Sequence, residues 1–220
     1  MAHGAPRRGR LDCCTMIVGP TGVPGPVDDG LGGSFAWSLT DGPIEVLLGE
    51  HRTILLVLDE VERESRRVEA DGAMREAFWQ DLLRFLDEFD AGLHHQKEED
   101  LLFPALESVG LSPERGPTAV LRDEHLRSRF WRNRLETALQ QRDRARLAVA
   151  AGQYVDLTRA HVLKENQILF PLAARLLGDD ERARLHREFR LLTADQRLRS
   201  WIRGPYGVAF GAAADTGTAP

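Results

Sequence analysis

Two segments of this sequence align without a gap: His94-His95-Gln96-Lys97-Glu98-Glu99-Asp100-Leu101-Leu102-Phe103-Pro104 and His161-Val162-Leu163-Lys164-Glu165-Asn166-Gln167-Ile168-Leu169-Phe170-Pro171. Each is preceded by a Glu-His pair, Glu50-His51 before the first and Glu124-His125 before the second. In His-x-x-x-Glu the two side chains lie one helical turn apart on the same face, with Cβ atoms about 5 to 6 Å apart. One helix can therefore offer an imidazole and a carboxylate to one metal site. Two such hairpins facing each other would bring His51, His94, Glu98, His125, His161 and Glu165 to a shared interior. That set is too large for one tetrahedral zinc. Two carboxylates with several imidazoles suit a pair of first-row metals bridged by the glutamates, and nitrogen and oxygen donors match iron or manganese better than soft Cu(I). Without metal, two buried glutamates would be unpaired or forced neutral.

The elements that must position these residues are helices. Ile44, Leu47, Leu48, His51, Leu55 and Leu58 form one stripe at helical spacing, predicting a helix from Pro43 to about Val68 with Asp41 as its N-cap. A second helix is expected from about Met74 to Val109, with a kink at Pro104, a third from about Thr118 to Gln141 and a fourth from about Ala145 to Leu177. On the fourth, Tyr154, Leu157, His161, Glu165, Ile168 and Leu172 share a stripe. A fifth, amphipathic helix from about Asp180 to Arg199 is expected to pack outside the others. No strand pattern is present, so the fold class is all-α: an antiparallel up-down-up-down four-helix bundle made of two repeated hairpins. The second helix is imperfect. Its apolar face through Leu82, Leu86, Phe89 and Leu93 lies about a quarter turn from the line through Leu83, His94, Glu98 and Leu101, which places the metals toward one end of the core.

Composition bounds the rest. The chain has 220 residues, 42% hydrophobic and 29% charged, which fits one globular domain with tails. The expected layout is a Gly- and Pro-rich arm over residues 1–40, the bundle over 41–178, the accessory helix over 179–203 and a tail over 204–220. A net charge of −5 argues against a nucleic-acid partner, since phosphate binding needs a basic face. No apolar run approaches the roughly 18 residues of a membrane helix, and the stretch after Arg7, Arg8 and Arg10 is too short for a secretory signal, so a cytoplasmic protein is expected. Adjacent Cys13 and Cys14 imply no disulfide framework.

The doubled pattern resembles the hemerythrin-like, or HHE cation-binding, domains, in which a Glu-His helix start and a His-x-x-x-Glu followed by Leu-Phe-Pro each occur twice. The resemblance covers roughly residues 40 to 178. It implies a non-haem di-iron site, two Fe2+/Fe3+ ions bridged by the two glutamates and often by an oxo or hydroxo group. Carried over by position, the ligands are His51, His94, Glu98, His125, His161 and Glu165. The oxygen carriers of the family place a fifth histidine one turn after the third-helix histidine, where this chain has Arg129. A site with four histidines has an additional open or water-filled position, which favours reaction with peroxide or NO over simple oxygen carriage.

His95 lies about 100° around a regular helix from His94 and is expected to face elsewhere. Glu50, Glu124, His95 and Glu99 are weaker candidates, as ligands or as groups orienting an imidazole. His3 and His186 read as surface residues, Tyr154 and Trp131 as core or lid, and Phe35, Ala36, Trp37 and Leu39 as a cover for the bundle mouth. The expected function is a module that binds or senses O2, NO or a related small oxidant. The alternative is a di-iron enzyme acting on peroxide or NO. Both need the same ligands, so the sequence does not separate them. Ferritin-like iron storage is disfavoured, because those bundles use Glu-x-x-His ligand sets.

Overall fold

The structure, a computed structural model, describes residues 42–194; Cys13, Cys14, His3 and the segment from Phe35 to Leu39 lie outside them. Among the described residues the chain is helical with no strand. We number the helices α1 (Pro43–Asp71), α2 (76–108), α3 (Pro117–Gln140), α4 (144–176) and α5 (Asp179–Leu192). Gly42, rather than Asp41, occupies the N-cap of α1, and Pro43 follows where its missing N–H is harmless. α1 stops at Gly72, whose φ of 66° lets its N–H reach back to Val68 O. Asp143 caps α4 by accepting from the Arg146 N–H at 3.0 Å.

α3 packs along α4, α4 along α1, and α2 against α3, while α5 lies on α1 and on the second half of α2. Buried apolar residues form two clusters. The larger includes Ile54, Leu58, Phe89, Leu135 and Val155; the smaller includes Leu47, Leu102, Leu121, Leu169 and Phe189. In all four long helices the histidine and glutamate positions fall between the two clusters. The order alternates along the chain: small before large in α1 and α3, large before small in α2 and α4. A polar layer is thus sandwiched between two apolar plugs.

α2 and α4 are not regular. Both turn π-helical over repeat-related segments, Glu98–Leu102 and Glu165–Leu169, just before Phe103-Pro104 and Phe170-Pro171. A proline lacks the N–H for the α-helical bond and crowds the carbonyl one turn back, and a local widening relieves both. α2 carries a further π segment, Leu86–His94, with no counterpart in α4, which is regular from Arg144 to Lys164. Each π turn takes up about one residue more than an α turn, so the faces on either side slip by roughly 100°. That slip absorbs the quarter-turn offset in the α2 pattern: Leu82, Leu86, Phe89 and Leu93 are buried, and so are His94 and Glu98.

Candidate metal centre

His51, His94, Glu98, His125, His161 and Glu165 all lie buried in the polar layer. With His95 they form two groups sharing Glu98: His51, His94, Glu98 and Glu165, and His95, Glu98, His125 and His161. Within each group the candidate donor atoms lie within 4.8 Å of one another. Glu98 spans the two, its Oε1 at 3.4 Å from His94 Nε2 and its Oε2 at 3.4 Å from His125 Nε2. Glu165 Oε2 lies 3.1 Å from His51 Nε2 and 3.3 Å from His161 Nε2.

The outer nitrogens settle the tautomers. His94 Nδ1 faces Glu50 at 3.1 Å and His161 Nδ1 faces Glu124 at 3.1 Å. His125 Nδ1 meets Glu99 at 2.7 Å, and His51 Nδ1 meets Asn166 Oδ1 at 2.8 Å. Each of these oxygens accepts, so each Nδ1 carries a proton and each Nε2 is the atom turned inward, free to ligate when the imidazole is neutral. Those atoms converge: Nε2 of His51 and His94 are 3.1 Å apart, as are those of His125 and His161. Both carboxylate oxygens of Glu98 and of Glu165 are buried without a hydrogen-bond donor. Acceptors facing acceptors in a dry interior need cations between them.

Electrostatics agree. Burial holds His94, His95 and His125 below the usual imidazole range, His125 at about 2, so they are neutral and ready to ligate. Burial, reinforced by the neighbouring Glu165, pushes Glu98 well up. Desolvation is outweighed at His161, which Glu165 and Glu124 raise. A bound cation reverses this penalty on the carboxylates.

The expectation that His95 faces elsewhere is not met. It is 2% exposed, its ring stacks on His125 with centroids 3.7 Å apart, and it joins the second group. The π segment that ends at His94 is the reason, because it brings adjacent histidines to the same interior. The sequence held one trace of it, the offset between the two faces of α2. Arg129, where the oxygen carriers place a histidine, donates to Glu99 at 3.2 Å instead. The outer ring was readable in part from the repeat: Lys97 pairs with Glu50 and Lys164 with Glu124 at matched positions. His186 is half-buried and belongs to neither group, while Tyr154 is core and donates to Asp90 at 2.5 Å.

The sequence matches the hemerythrin HHE cation binding domain over residues 42–173, more than half of the chain. The chain belongs to this hemerythrin family. Uncharacterised proteins of Mycobacterium bovis and Mycobacterium tuberculosis are 28% identical to this hemerythrin-domain chain over 133 residues, 58% of it and 51% of each relative. The chain thus spans about half the length of the curated relatives it matches. No solved structure matches it significantly. No helix among the described residues is long and apolar enough to cross a membrane.

Proposed function

We propose that this chain is a non-haem di-iron protein that binds or senses a small oxidant such as O2 or NO. In this reading the four long helices are an antiparallel up-down-up-down bundle, and His51, His94, Glu98, His125, His161 and Glu165 hold two irons, with His95 as a seventh ligand. The observation that carries it is the convergence of four imidazole Nε2 atoms on four buried carboxylate oxygens that have no hydrogen-bond partner. Two irons held there would supply one-electron steps at a position open to a small ligand. The chain's own residues do the rest. Glu50, Glu124, Glu99 and Asn166 orient the imidazoles, Glu98 and Glu165 would each offer carboxylate oxygens to the metals, and the apolar clusters close the layer above and below. Manganese fits the same donors less specifically than the family does iron, and a cytoplasmic setting belongs to the same proposal.

A second reading, turnover of peroxide or NO, is favoured by one feature: a cleft of about 240 Å³ bordered by His95, Glu99 and Arg129 reaches the second group of ligands. Elemental analysis should find close to two irons per chain in protein from iron-containing medium. One tight zinc and no iron would refute the proposal. Stopped-flow spectra of the reduced protein with O2, NO and hydrogen peroxide then separate the readings: a long-lived adduct supports binding, rapid peroxide consumption supports an enzyme.

A further inference from the structure

On the face where α2 lies beside α3 there are two clefts. One, of about 330 Å³, is lined by Asp90, Ser128, Arg132 and Tyr154 among others; the second, of about 240 Å³, is bordered by His95 and Glu99. Ala91 and Arg129 line both. The seam between the clefts is formed by the two residues that line both, the small Ala91 on α2 and Arg129 on α3, whose side chain is 41% exposed and bonded to Glu99. Deep in the larger cleft, Asp90 is buried and uses one oxygen to accept from Tyr154. Its other oxygen, Oδ1, is buried with no hydrogen-bond partner and lies 3.8 Å from His95 Nε2. Burial pushes the Asp90 carboxyl up, and Tyr154 opposes the rise.

A buried acceptor without a donor is costly, and one just behind the wall of a cleft suits a guest that brings a proton. We propose that the seam at Ala91, shared by the two clefts, is the entry route to the metal centre, latched by Arg129, and that Asp90 Oδ1 anchors a small hydrogen-bond-donating ligand of the hydroperoxide class beside His95. This rests on the di-iron reading above and names its ligand class. Dioxygen and NO use the same route but gain nothing from Asp90, because they have no hydrogen to donate. Opening the latch leaves the ligands in place, since Glu99 keeps its bond to His125 when Arg129 moves.

The test uses the full iron-loaded chain. Ala91→Phe fills the seam and should slow NO association and NO release alike, by roughly tenfold or more, with an unchanged equilibrium constant, as a barrier does. Arg129→Ala should speed both. Asp90→Asn keeps the acceptor for Tyr154 but turns a donor toward the cleft. It should weaken hydrogen peroxide binding about three- to tenfold, the size of one hydrogen bond, and leave NO affinity alone. Ala145→Phe, a bulky change on the distant α3–α4 groove, is the control and should alter nothing. Native NO rates in iron-loaded Ala91→Phe and Arg129→Ala would overturn the route. Equal loss of NO and peroxide affinity in Asp90→Asn would overturn the anchor. If Ala91→Phe does not fold, Arg129→Ala decides the route alone. Failure of the di-iron reading shows separately, as wild-type protein without iron.

Discussion

The two repeats bring matching histidines and glutamates to one interior, yet their surroundings differ. Lys97, in the first, is 0% exposed: it pairs with Glu50 and lies over the Phe189 ring, placed there by α5. Lys164, at the same place in the repeat, pairs with Glu124 but is 40% exposed. The carboxyls follow suit. Burial lifts Glu50 despite Lys97, whereas burial lifts Glu124 less than His161 and Lys164 together lower it. Two positions earlier in the repeat, the first copy places a buried histidine, His95, where the second has the buried apolar Val162. The comparison teaches that a duplicated motif fixes the inner histidines and glutamates. A helix packed over one copy and an added π turn in that same copy make the two halves chemically unequal.

The comparison is tested most strongly by the residues the halves share. Glu98→Ala and Glu165→Ala should each cost both irons, since each carboxylate faces both halves. With each ion present at about a hundred times its dissociation constant, that loss is about 5 kcal/mol and roughly 10 to 20 °C in Tm. Calorimetry beside elemental analysis checks it; full iron in both variants would remove the bridging role. Next come the lysines. Lys97→Met leaves the buried Glu50 carboxylate with its His94 hydrogen bond but no counter-charge and should cost about 3 to 5 kcal/mol, whereas Lys164→Met, screened by water, should cost less than about 1 kcal/mol. Equal midpoints in urea would erase the asymmetry assigned to α5.

His95→Val, which makes the first hairpin copy the second, should leave the fold intact and weaken one of the two irons about 10- to 100-fold. The readout is chelator competition, in which one iron should leave well before the other. An iron-release profile unchanged from that of the wild type would place His95 outside the ligand set. The smallest effect belongs to His186→Ala, which should keep its iron and shift stability by no more than about 0.5 kcal/mol.

The six repeat-related residues and the helices that carry them were legible because both rest on spacing: ligands four apart share a face, and apolar residues at the same period mark the side that turns inward. His95 was not, because that argument assumes 3.6 residues per turn throughout, and Leu86–His94 departs from it. The departure left its mark in the offset between Leu82-Leu86-Phe89 and His94-Glu98, which a regular helix cannot reconcile. Asp90 was equally hidden. Its significance lies in Tyr154 on another helix and in an oxygen left without a partner, neither of which local spacing can express.

The sequence by itself determined the doubled motif, its helical period and the inward face of its histidines and glutamates, since these depend on residues a turn or two apart. Only the tertiary structure decided that Glu98 spans both halves, that α5 seals Lys97 and not Lys164, and that His95 turns inward. Those outcomes depend on how one helix meets another, and on the free energy of burying a charge against a partner distant in the chain.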